Sequence, residues 1–201
     1  MHPPPEAPCT AFDGDRLLAS GPCAEVALAV KRAHEAGSAG PLLAFDDHTG
    51  HPVEFDLRGS EAEVRARLQP APPAPRRPGR PRLGVIAREV TLLPRHWDWL
   101  GSQPGGASAA LRRLVEHASR DGGGAQRARE SAEAVDRFML AMAGNLPGYE
   151  EASRAFWRGE RARLDELTRR WPPDVRRHLR HLATLAWDAA DTARSGRAPA
   201  P

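Results

Sequence analysis

The chain has 201 residues, 40 % of them hydrophobic, and a formal net charge of +3. That length holds one large domain or two small ones, and 20 Pro and 18 Gly break it into pieces. No run approaches the roughly 18–20 apolar residues of a membrane helix, and the opening MHPPPEAPC lacks the apolar stretch of a secretory signal. A soluble, cytoplasmic protein with no membrane partner is the expectation.

Basic charge is nearly all arginine, with Lys31 the single lysine, and Ala, Arg, Gly and Pro are inflated together as coding bias would inflate them. The distribution of charge says more than its total. Residues 1–69 carry 6 basic and 11 acidic side chains, residues 70–121 carry 9 and 4, and residues 122–201 carry 14 and 11. An acidic head therefore precedes a basic middle. Cys9 and Cys23 are the only cysteines and lack CxxC spacing, so they support neither a disulfide framework nor a zinc site.

In the head, TAFDGDRLLA (10–19) reads as a hairpin turning at Asp13-Gly14. Residues 22–36 read as a helix with Pro22 in its first turn and Val26, Val30 and Ala33 at helical spacing around Leu28. PLLAFDD (41–47) and PVEFDL (52–57) flank HTGH, and Val53, Phe55 and Leu57 alternate, which predicts a second hairpin. Ser60 with Glu63 forms a capping box for a helix through Leu68. The head is thus expected as a ββαββα unit over residues 1–68.

Residues 69–82 hold six prolines and four arginines, a density that leaves an extended, semi-rigid linker. LGVIAREVTLLP (83–94) is a β-branched strand ending at Pro94. A short helix over RHWDWLGSQ follows, PGG breaks it, and Ser108 N-caps a second helix with Leu111, Leu114, Val115 and Ala118 on one face. DGGG (121–124) is expected to end that helix. Residues 122–194 read as helices with stripes at Val135/Phe138/Met139/Met142, Leu164/Leu167/Trp171 and Leu179/Leu182/Ala183/Ala186, expected to pack on the 83–121 module. Residues 195–201 are expected to be a disordered tail. The fold class is α+β.

Three stretches, LLAFDDHTGHPVEFDLRGS, GRPRLGVIAREVTLLPRHWDWLGSQPGGASAALRRLVEHA and NLPGYEEASRAFWRGERARLDELTRRWPPDVRRH, resemble an uncharacterised bacterial family, domain of unknown function 2239. The resemblance covers most of the chain and implies no chemistry. Function must therefore come from the residues. The strand, the two helices and the turn over 83–121 resemble a ribbon-helix-helix module, whose dimer lays a two-stranded ribbon in the DNA major groove. Leu92 beside Leu93 and the acidic Glu89 depart from that pattern. Two alternatives stand beside it: a helix-turn-helix over 95–103 and 108–120, and an αα-hairpin whose strand joins the head's sheet. PGRPR (78–82) resembles an AT-hook core, although Pro78 replaces the arginine expected before the glycine; such an arm suits the narrow A·T minor groove. On this reading Arg76, Arg77, Arg80, Arg82, Arg88, Thr91 and Ser108 contact duplex DNA in a homodimer. The alternatives are a non-catalytic protein-interaction module and an enzyme of unidentified chemistry.

No GxSxG, Walker loop, GxGxxG or HExxH occurs, so no catalytic residue and no cofactor site is expected. His48/His51 and His178/His181 each lack a third ligand at local spacing, so no metal is expected; the first pair reads as a solvated turn and the second as a polar helix face. Asp46 and Asp47 are strand neighbours and point to opposite faces. Trp97 and Trp99, two apart, cannot share one helix face, which puts one of them at an interface.

Overall fold

The computed structural model describes residues 3–68 and 88–195. It contains strands β1 (Pro8–Asp13), β2 (Arg16–Pro22) and β3 (Leu42–Asp46). Helices are α1 (Cys23–Glu35), α2 (Glu61–Leu68), α3 (Pro94–Gly101), α4 (Gly106–Ala143), α5 (Tyr149–Trp157), α6 (Arg161–Leu167) and α7 (Pro173–Ser195). The chain forms two compact units, one from residues 1–70 and 124–201, the other from residues 71–123. The expected linker 69–82, residues 83–87 and most of the tail lie outside the described residues.

The first unit is organised on β1, the middle strand of an antiparallel sheet ordered β2-β1-β3. The β1–β2 hairpin closes over Gly14-Asp15, and Gly14 has φ +60°, as a two-residue loop with glycine first requires. Successive β1 side chains enter opposite layers. Cys9 and Ala11 pack with Cys23, Val26 and Val30 of α1 and with Ala44 of β3. Phe12 and Phe45 instead enter a larger core with Val135, Phe138 and Met139 of α4 and Val175 and Leu179 of α7. Phe138 stands edge-on to Phe45, ring centroids 5.3 Å apart, and tilted against Phe12 at 5.7 Å.

The expected C-terminal stripes are the buried ones: Val135, Phe138 and Met139, Leu164 and Trp171, and Leu179, Leu182, Ala183 and Ala186. Their partner differs from expectation. Residues 124–195 share a core with the sheet, where the sequence reading attached them to the 83–121 module. Trp171 is buried and Trp187 partly so, and their indole N–H groups donate to the carbonyls of Pro147 (3.0 Å) and Phe156 (3.1 Å).

Three local expectations change. The fourth strand is absent, so the head is ββαβα. Val53, Phe55 and Leu57 do alternate inward, against the α1 layer, but backbone pairing with β3 stops after the Phe45–Pro52 bridge, with the Asp46 N–H on the His51 carbonyl at 3.0 Å and the Val53 N–H on the Ala44 carbonyl at 2.8 Å. Apolar alternation asks for extended backbone with one covered face; a ladder also needs donors, and Pro52 has none. Second, α4 runs through Gly122–Gly124, where an end was expected. Glycine costs a helix about 1 kcal/mol per residue relative to alanine without forbidding it, and the unit boundary falls inside this glycine run. Third, residues 88–93 form no strand.

The capping box is present: the Ser60 N–H and hydroxyl donate to Glu63 Oε2 at 2.7 and 2.8 Å, and the Glu63 N–H returns to Ser60 Oγ at 3.3 Å. Arg32 grips Glu61 with two 2.7 Å bonds and joins α1 to α2. These contacts hold the Glu61 and Glu63 carboxyls below the usual carboxylate range, by Arg32 at Glu61 and by the Ser60 donors at Glu63.

Phe138→Ala should lower stability by about 3–5 kcal/mol, with sheet and helix signals melting together in circular dichroism and tryptophan fluorescence. Glu61 and Glu63 have depressed folded pKa values, so their contribution is full above the unfolded carboxylate pKa of about 4.3 and is lost as pH falls through the lower folded values. Amide exchange followed by NMR during acidification should therefore show α2 losing protection before α7.

Candidate functional site

Two places on the molecule carry concentrated chemistry. The first is the second unit. After the irregular segment 88–93, Pro94 opens α3, a turn through Gly105 (φ +85°) follows, and α4 begins at Gly106. Of the site residues expected from sequence, Arg76, Arg77, Arg80 and Arg82 lie outside the described residues. Arg88 and Thr91 are exposed in the irregular segment. Ser108 is exposed inside α4, two residues past its start, and is not the N-cap; the Gly106 N–H is already taken by the Gln103 carbonyl at 2.9 Å.

The sequence reading missed Arg95, Arg112 and Arg113. Arg112 folds back on the Ser108 carbonyl at 3.2 Å and Arg113 on the Pro104 carbonyl at 3.1 Å, so both heads sit at the start of α4. The signal was the spacing itself, since Arg112 follows Ser108 by one helical turn. Among the described residues Arg88, Arg95, Arg112 and Arg113 form no ion pair with a carboxylate. Elsewhere many arginines, among them Arg32, Arg58, Arg137, Arg154, Arg161 and Arg180, hold acidic partners, while Arg16, Arg65, Arg169, Arg170 and Arg176 hold none among the described residues.

Beside these arginines the surface is apolar. Trp97 is 41 % and Trp99 52 % exposed, and among residues 88–118 only Leu100 and Ala110 are buried. Leu92, His96, Trp99, Leu100, Leu111 and Leu114 line a cavity of about 270 Å³. Both tryptophans are thus about half exposed.

The second place is a polar chain on the helix-facing side of the sheet. The Thr10 hydroxyl donates to Asp47 Oδ2 at 2.9 Å and shares a 3.0 Å hydrogen bond with Ser20. Asp47 Oδ1 lies 3.3 Å from His178 Nε2, yet neither atom has a partner in hydrogen-bonding geometry. His178 is buried between the rings of Phe12 and Phe138, not on a polar helix face as expected. Asp46 turns away, as expected from its neighbour position, and accepts the N–H groups of His48 and Thr49. Gly50 closes this turn against α4 at φ +67°, where any Cβ would collide with the Ala134 backbone, and Arg137 donates to the Thr49 carbonyl at 2.6 Å.

The profile of a family described as an uncharacterised protein conserved in bacteria, domain of unknown function 2239, matches residues 8–183. The chain belongs to this family. The match runs from β1 into α7 and takes in both places. No curated protein and no solved structure matches.

In this member of domain family 2239, the polar chain lacks the order of a catalytic relay. Ser20 bonds to the Thr10 hydroxyl and Thr10 to Asp47, whose other oxygen has no hydrogen bond to His178. Its geometry fits a structural role, tying β1, β2 and the end of β3 together beneath α7. Among the described residues no three His, Cys, Asp or Glu side chains converge as metal ligands, and no helix is long and apolar enough to cross a membrane.

Asp47→Ala should cost about 1–3 kcal/mol in urea unfolding, because it removes the charged acceptor of the Thr10 hydroxyl beneath the helices and leaves that hydroxyl only Ser20. Asp47→Asn, which keeps an acceptor for Thr10, should cost less.

Proposed function

We propose that this protein binds duplex DNA through its second unit, with the arginines of 76–82 as an arm. The observation that carries the reading is the set of exposed arginines at 88, 95, 112 and 113 that have no carboxylate partner, whereas most of the described arginines of the first unit do have one. An arginine already neutralised by a neighbouring carboxylate gains less from a phosphate; one left free releases condensed counterions when it binds. The outline α3, turn, α4 is nearer to a helix-turn-helix than to the ribbon arrangement, since residues 88–93 are irregular. In such a motif the start of the second helix faces the groove, and Ser108, Arg112 and Arg113 occupy that position in α4.

A homodimer belongs to the same proposal. The cavity beside Trp99 and the exposed Trp97, Leu93 and Val115 leave the second unit with apolar surface that a second copy would cover. That surface also supports the alternative of a protein-interaction module without DNA.

Fluorescence anisotropy with a labelled duplex should give an affinity that falls with salt. Arg112→Ala with Arg113→Ala should flatten the log–log slope by roughly 0.9 for each phosphate no longer neutralised, and Arg80→Ala with Arg82→Ala should do the same. Absence of binding at low salt, with a dimer in sedimentation, would favour the interaction module instead.

A further inference from the structure

Cys9 and Cys23 come from different elements, the middle strand and the first residue of α1, and both are buried. Their sulfurs stand 2.6 Å apart, with the Cys9 S–H donating to Cys23 Sγ. A disulfide needs an S–S separation of about 2.05 Å, so side-chain adjustment alone closes the bond. The pairing of Cys9 with Gly21 and the bond from the Cys23 N–H to the Ala7 carbonyl (2.9 Å) fix the two backbones side by side. We propose that Cys9 and Cys23 are a redox-active dithiol that a small hydroperoxide converts to an intramolecular disulfide.

The two sulfurs are not equivalent. The Cys9 hydrogen bond pulls the Cys23 thiol below its ordinary range, against burial and the carboxylates of Asp46 and Asp47, while Cys9 is pushed up. Cys23 therefore attacks. Its thiolate takes the terminal oxygen of the hydroperoxide, an S–O bond forms and the O–O bond breaks. The departing alkoxide or hydroxide takes up the proton that Cys23 lost. Cys9 sulfur then attacks the Cys23 sulfenic acid, an S–S bond forms, the S–O bond breaks, and hydroxide leaves with the Cys9 proton as water. Two thiols are oxidised by two electrons and one hydroperoxide is reduced to an alcohol, or water, plus water. Burial selects the oxidant, since Cys9 is 0 % and Cys23 1 % exposed and a peptide-sized disulfide cannot reach them without opening the fold.

The disulfide would close a loop that contains all of β2, an edge strand, and would lock the hairpin to α1. The test treats the full chain with hydrogen peroxide and measures intact mass and free thiols after unfolding. The expected result is loss of two hydrogens and of both thiols, reversal by a dithiol reductant, and a Tm raised by roughly 6–12 °C. Oxidised glutathione should act far more slowly. Cys9→Ala should leave a Cys23 sulfenic acid that a dimedone probe labels, and Cys23→Ala should lose the rapid reaction. Persistence of two free thiols in the natural chain, or oxygen added to the cysteines in place of hydrogen loss, would overturn the proposal; so would a Cys23→Ala variant that reacts at the natural rate.

Discussion

The first unit depends on one strand being covered on both faces. Every residue from Cys9 to Phe12 is buried, because α1 lies over one side of β1 and α4 with α7 over the other. A three-stranded sheet with a single helix layer would leave Phe12 and Phe45 in water. The aromatic group of Phe12, Phe45 and Phe138 closes that side, and it joins segments more than 90 residues apart in sequence. The acidic head and the C-terminal helices are thereby one body, with residues 71–123 inserted as the second. The close seat of Gly50 on α4 and the bond from the Leu17 N–H to Asp174 at 2.9 Å join the same two segments at the sheet's rim.

Much of this was legible in the sequence, and the failures have separate physical causes. The hairpin turn at Gly14, the Ser60/Glu63 box and the stripes through Phe138, Leu164 and Leu179 are local patterns, and each is present. An amphipathic stripe says that a face is buried but not against what, so the partner of 124–195 was misread. A better signal was available in Cys9-Thr10-Ala11-Phe12: unbroken burial, not alternation, marks a strand covered on both sides. Residues 52–57 failed differently. Their alternation reported a covered face correctly, but Pro52 removed a ladder donor. The DGGG stop failed because glycine weakens a helix without ending it.

The candidate site was half legible. Arginine abundance carries little information in a chain whose coding bias favours it, and sequence could not say which arginines are already neutralised. The structure separates them: Arg137 and Arg154 pair with Glu133 and Glu150 one helical turn away, whereas Arg112 and Arg113, although Glu116 lies one turn on in the same helix, form no ion pair among the described residues. The cysteine pair was invisible to spacing rules, since 14 residues separate two thiols that the hairpin and α1 bring into contact. His178 looked like a solvated helix residue because its covering rings come from β1 and α4.

Native-state hydrogen exchange tests the account most directly, because it reads which amides open together. The amides of β1 and those of α7 around Leu179 should exchange through one and the same highest-energy opening, with α3 and the first turns of α4 exchanging through a separate, lower one. A β1 that stays protected while α7 exchanges freely, or a β1 that opens together with α3, would show that the sheet does not depend on the C-terminal helices and would contradict the account.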